Sequence, residues 1–328
     1  MILFDFRSIS FFSIFLFSGV LTGQSVQWDR DSSLQAGLPQ GMEIYYNHQP
    51  LEGAPFRGYF AKIDLLDKKL DFDVDTTQGR RLTPSQFYDR LDSPLLVING
   101  TFFSFVTNQN LNTVIGHGKQ LAFGPTTIKG SGRDSLYYYH PLRSALGISR
   151  HRKADVAWLF ADSTRRKPYA FQQAHLVIKN ELSTISIHEH LADIIKAHQH
   201  DFNKKWRVKT AIGGGPVLIQ DGEIHITNRE ERMFVESADV KHPRTAMGYT
   251  SDHHLIILSI EGRHPGIADG VSLMQEAQIL KDLGCVEALN LDGGGSSCML
   301  IHGVETITPS DATGQRPVPA VFYVRNKK

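Results

Sequence analysis

The chain has 328 residues, 41% hydrophobic and 21% charged, a composition that excludes a disordered or fibrous protein. Its formal net charge of +1 leaves no electrostatic footprint for nucleic acid or for an anionic membrane surface. Cys285 and Cys298 are the only cysteines, too few for a disulfide framework, and a chain of this length builds a core without one.

From the N-terminus, Arg7 precedes an apolar run over residues 9–21 and then the small polar stretch Thr22, Gly23, Gln24, Ser25. This pattern predicts a signal peptide over residues 1–25, too short for a comfortable membrane span and with no following cysteine for a lipid anchor. The expectation is a secreted or periplasmic protein without stable membrane insertion, its residues 26–328 forming a single domain. Residues 42–46, 57–65 and 70–75 alternate apolar and polar and predict an antiparallel meander. Asp71, Asp73 and Asp75 mimic the start of a calcium loop, but Thr76 stands where an EF-hand needs glycine and Leu82 where it needs its bidentate acid. They are read as the solvent face of a strand.

Thr83 followed by Pro84 predicts a capped helix that leads into a buried strand over 95–99. The basic clusters at 150–153 and 164–167 lie between strand-like runs and are read as solvated turns. A polar, peripheral helix is expected near 187–205. A second capped helix runs from Ser272 to its stop at Gly284, and it feeds a strand over 286–291; another strand follows at 298–301. A hairpin turning near Gly294 would set residue 285 opposite about residue 302, which favours free thiols over a Cys285–Cys298 disulfide. These elements predict an α+β fold of strongly twisted, mainly antiparallel or mixed sheets flanked by a few helices. One internal echo stands out: His140, Pro141 and Arg143 before Ser-Ala-Leu-Gly repeat as His242, Pro243 and Arg244 before Thr-Ala-Met-Gly, which predicts two pseudo-symmetric halves.

The loop between the last two strands reads Asn290-Leu-Asp-Gly-Gly-Gly-Ser-Ser. Gly293, Gly294 and Gly295 leave backbone N–H groups bare and able to converge on an anion, flanked by Asn290, Asp292 and Ser296. The simpler reading is a glycine-rich hairpin turn. Arg244 at a strand start can fork onto two anionic oxygens, and Arg143 is its echo. Asn99, at a strand end beside Thr101, can donate to and accept from a sugar hydroxyl. His242 and His264 lie beside these groups. No histidine spacing matches a metal site, since Ala192 stands where a zinc helix starting at His188 needs its second histidine. No cofactor is expected, while metal dependence through an oxygen-rich site stays open.

In their order, the stretches 97–103, 211–222, 242–248, 261–266 and 290–297 resemble the phosphodiester glycosidase family, over about residues 60 to 324. Residues 1–60 and 153–207 carry no matching motif. The resemblance implies an enzyme, a hydrolase that cleaves a sugar-phosphodiester bond and releases the sugar, with a small-molecule or glycan substrate. It makes Asp292 the nucleophile or base, Glu261 its partner and Arg244 the anion-holding catalytic group. Asn99, Thr101, Arg143, His242, Arg263, His264, Asn290, Ser296 and the three glycines become substrate-binding. The family pattern tends to carry Asp at the Glu261 position and a small residue at Thr101. Other readings are an exo-glycosidase or polysaccharide-processing hydrolase on this scaffold, and a non-catalytic glycan-binding or envelope-assembly protein.

Overall fold

The computed structural model describes residues 25–160, 167–175, 178–180, 202–203 and 206–327. Residues 1–24 of the expected signal peptide lie outside them, as does most of the expected 187–205 helix; within that helix, Phe202–Asn203 form a short strand. The described residues build four sheets, and their strand pairs are antiparallel. An eight-stranded sheet has at its centre Gly58–Asp64, His254–Ile260, Arg244–Thr250, Cys285–Asn290 and Val217–Gln220 in spatial order. A seven-stranded sheet runs through Ala154–Phe160, Arg143–Ser149, Val208–Gly213 and Val114–Gly116. A five-stranded sheet has Leu96–Asn99 between Met299–Ile301 and Ala320–Asn326, with Leu70–Thr76 at one edge. The expected sheet-rich, mainly antiparallel architecture stands.

Alternation along each strand sends one face inward, and the three large sheets share a core. Ile63 and Met247 of the first, Leu146 and Trp158 of the second, and Phe72, Leu96 and Phe322 of the third belong to one buried cluster. The outer face of the eight-stranded sheet is covered by the helix Leu273–Asp282, whose Leu273, Ala277 and Leu280 pack on Ala246, Leu258 and Ala288. Ser272 and Gln275 close its capping box, as Thr83 and Gln86 do for the helix Pro84–Arg90. Each cap side chain satisfies an otherwise orphaned amide, an effect of about 1 kcal/mol.

Three expectations need correction. Leu70–Thr76 does not extend a meander with its predecessors; it pairs with Ala320–Asn326, because its second face is claimed by the seven-stranded sheet. For the same reason Asp73 is buried, so the acidic row is not simply a solvent face. The strands Cys285–Asn290 and Met299–Ile301 do not form a hairpin, since they belong to different sheets and the glycine-rich loop crosses between them. The cysteines are, as expected, free and buried.

The internal echo is a repeat of register. Ala145, Leu146, Gly147 and Ile148 pair with Gly213, Ile212, Ala211 and Thr210, and a bulge follows. Ala246, Met247, Gly248 and Tyr249 pair with Asn290, Leu289, Ala288 and Glu287, again followed by a bulge. Each first strand also forms a hairpin with the next in the chain, Ala154–Phe160 in one half and His254–Ile260 in the other. Just past the pairing, Gly214 donates to Ser144 O at 3.0 Å and Leu291 to Thr245 O at 2.7 Å.

Candidate active site

The repeated register brings the strand starts at Arg143 and Arg244 and the strand ends at Asn99, Gly213 and Asn290 to one edge of the packed sheets. Asn99 ties this edge together. Its amide Nδ2 donates to Asp292 O at 2.5 Å, while its Oδ1 accepts from Thr245 Oγ1 at 2.9 Å and from the Cys298 amide at 3.0 Å. The side chain is wholly buried and three of its hydrogen-bonding positions are used inside the protein, so in place of the expected sugar contact Asn99 fixes the loop that carries Asp292. The Asp292 amide adds a bond to Gly100 O at 3.1 Å.

In the loop, the Gly294 N–H donates to Pro243 O at 2.8 Å, so the expected nest of bare N–H groups is partly used by the protein. The glycines serve a different purpose. A Cβ on Gly294, whose φ is 61°, would lie 3.1 Å from Arg263 Nη2, and one on Gly295 would lie 2.0 Å from Arg316 Nη2. Two guanidinium groups therefore lie against the loop backbone; a side chain at Gly295 would displace Arg316 and Asp311, and at Gly294 the positive φ favours glycine. Arg316 is clamped by Asp311 through Nε–Oδ2 at 2.7 Å and Nη2–Oδ1 at 2.8 Å, and its Nη1 reaches Ser296 Oγ at 3.5 Å. Arg263 Nη2 lies 3.2 Å from His242 Nδ1. Burial depresses the His242 pKa, with Arg244 and Arg263 adding to the effect, which favours the neutral imidazole.

Asp292 sits among these groups. Burial raises its pKa to about 7, opposed in turn by the Ser296 hydroxyl, the Arg316 charge and the Gly293 N–H. Such a carboxyl exchanges a proton near neutral pH, which suits general acid–base chemistry. Glu261 occupies an adjoining cluster: its Oε1 lies 3.0 Å from His264 Nδ1 and 3.9 Å from Arg57 Nη1, and its Oε2 accepts from the Thr308 amide at 3.0 Å.

Arg244 is only 2% exposed. Its Nε donates to Val271 O and its Nη2 to Val240 O, both at 3.1 Å, and Phe234 lies 5.6 Å away. Its fork is thus held by backbone carbonyls under residues 234–240. Behind it, Glu276 on the covering helix is buried with both oxygens unbonded, and burial lifts its pKa to about 8 against the pull of Arg244.

Other expected residues lie apart from this cluster or inside the wall. Arg143 belongs to the seven-stranded sheet and is influenced electrostatically by Glu231, not Asp292. Asn290 Nδ2 donates to Gly215 O at 2.9 Å, and Thr101 Oγ1 to Asn110 Oδ1 at 2.5 Å; both residues are buried. The sequence reading did not assign Arg316, Asp311 or Arg57, because no local pattern links positions 311–316 to a loop at 292–296. Among the described residues no cluster of histidine, cysteine and carboxylates is arranged to hold a metal ion.

Residues 92–325 match the family model of phosphodiester glycosidase. The N-acetylglucosamine-1-phosphodiester alpha-N-acetylglucosaminidase of Mus musculus is 31% identical over 103 residues, 29% of this chain and 20% of that protein; the Homo sapiens protein of the same name is 30% identical over 103 residues, covering the same shares. The match thus spans about a fifth of the length of these relatives. In structure, the fold is similar to the zebrafish catalytic domain of that name, described as auto-inhibited by its pro-peptide, with a TM-score of 0.58 at 19% identity over 93% of this chain and 89% of the other. A hypothetical protein from Synechocystis gives a TM-score of 0.55 at 17% identity, over 93% of this chain and 68% of that one. With the family model covering residues 92–325 and a similar fold, the chain belongs to the phosphodiester glycosidase family.

Proposed function

We propose that the chain is an exported hydrolase that cleaves the bond between a sugar and a phosphodiester and releases the sugar. The observation that carries this reading is one carboxyl, Asp292, partly buried beside the Arg316 guanidinium, in a loop whose Gly294 backbone also meets Arg263. Arg316 and Arg263 would hold the phosphate, whose departure as a monoester, with a second pKa of about 6, needs little protonation. Asp292, as carboxylate, would take a proton from water as its oxygen bonds to the anomeric carbon. The carbon–oxygen bond to phosphate breaks and its electron pair leaves with the phosphate. Glu261, held by His264 and Thr308, would bind the sugar or share the charge that develops on it. Export rests on the apolar run at 9–21.

The mammalian relatives' names make an α-linked N-acetylglucosamine phosphodiester the first substrate to assay, against a panel of neutral nitrophenyl glycosides. Release of both sugar and phosphate ester from the diester alone supports the reading. Turnover of neutral glycosides only would point to an ordinary exo-glycosidase on this scaffold, and binding without turnover to a glycan-binding protein.

A further inference from the structure

The strands that carry the catalytic edge end, at their other end, in tight turns, and there the two halves differ in charge. In the seven-stranded half, the hairpin turns hold His117 and Lys119, then Arg150, His151 and Arg152. At the matching places in the other half stand Asp221 and Glu223, then Ser251, Asp252 and His253. The turn geometry is shared: φ is 51° at His117 and 52° at Asp221, 62° at Arg152 and 66° at His253. Since the fold accepts acidic and neutral residues at these positions, their basic character in one half is not a demand of the backbone.

The basic turns close around a cavity of about 350 Å³, lined also by Lys209, Thr210 and Lys327. Two of its basic side chains face carboxylates, Lys209 the Asp71 carboxylate and His117 the buried Asp73, 3.1 Å away. Arg152 is held rigidly, with Nη1 donating to Leu65 O at 3.0 Å and Nη2 to Leu70 O at 2.6 Å, over the Phe72 ring. Among the described residues, Arg150, Arg152 and Lys327 form no ion pair with a carboxylate. The Thr210 hydroxyl, in the lining, is buried with no hydrogen-bond partner. A fixed guanidinium flanked by two further unpaired cations in a concave site is the arrangement that recruits a compact anion.

We propose that this cavity is a second anion site that takes a phosphate-class dianion, separate from the glycine-loop site and independent of the reaction assigned to it. The probe is inorganic phosphate, titrated into the whole chain at low ionic strength while backbone amide resonances are followed. Saturable shifts at His117, Ser149, Arg150 and Thr210, with an affinity at least about tenfold weaker in Arg150→Glu, are expected. Arg150 is exposed, so that variant keeps the fold, and the unchanged dispersion of the spectrum verifies it. Shifts confined to residues 292–296, non-saturating shifts at the turns, or equal affinity in Arg150→Glu would each overturn the proposal.

Discussion

The two halves share one backbone plan and differ in what that plan carries at its edge. Two residues beyond the equivalent pairs Ala145–Gly213 and Ala246–Asn290, one half has Gly215 and the other Asp292. At Gly215 the space for a side chain is already occupied: a Cβ there would lie 2.4 Å from Glu231 Oε2. Glu231 is wholly buried and accepts from Ser144 N at 3.0 Å, Ser144 Oγ at 2.8 Å, Trp158 Nε1 at 3.2 Å, Val217 N at 2.8 Å and Thr227 Oγ1 at 2.7 Å. A carboxyl group with this many donors joins the two sheets and has little capacity left for a ligand. Asp292 has a hydroxyl, one amide and a neighbouring arginine, and its pKa is lifted to about 7. Burial raises the pKa of both groups, but the same scaffold surrounds one carboxyl with five donors and the other with few, which on the proposed function leaves Asp292 free to act on a substrate.

The strongest way to break this comparison is to neutralise the reactive carboxyl. Asp292→Asn should lower kcat on the sugar phosphodiester by about 10²–10⁴-fold, the range for loss of a general base, while circular dichroism stays unchanged. Turnover near wild type would remove Asp292 from the chemistry. The reciprocal test places the acid in the other half. Gly215→Asp forces a second carboxyl onto Glu231 at a residue whose φ is 125°, and urea unfolding should show a loss of about 3–5 kcal/mol.

A pH series sharpens the contrast. Asp292 has a folded pKa of about 7 against roughly 3.9 when unfolded, so the folded state binds more protons between those values. Its contribution to stability is therefore fully present below about pH 4 and is lost as pH rises through 7, whereas kcat/KM should rise over the upper part of that window as the carboxylate forms. Asp292→Asn should remove both trends and be the more stable protein at pH 8, by up to about 4 kcal/mol. A wild-type unfolding curve indistinguishable from that of the variant between pH 4 and 8 would contradict the assignment.

The smallest effects separate the paired arginines. Arg244→Lys cannot satisfy both Val271 O and Val240 O, and it should reduce turnover of the phosphodiester by about tenfold. Arg143→Lys, on the half without the reactive carboxyl, should cost at most about threefold in the same assay. Equal losses would mean that the halves contribute alike to substrate binding.

The sequence by itself determined the elements whose physics is local. Alternation set the strands, and Thr83 and Ser272, each followed three residues later by Gln, set the helix starts. The repeated Arg143 and Arg244 patterns marked the two halves, and the glycine run with Asp292 marked the site, because a loop that receives neighbours against its backbone must give up side chains. What tertiary structure decided is what depends on which sheet a strand joins. It sent Leu70–Thr76 to the five-stranded sheet, turned the expected hairpin at Gly294 into a crossover, and turned Asn99 inward as a brace. It also brought Arg316 and Asp311 onto Gly295 and filled the place beside Gly215 with Glu231. These contacts join residues from about sixteen to about two hundred and fifty positions apart, and no spacing along the chain encodes them; they follow from the packing of whole sheets, whose inner faces must all be covered at once.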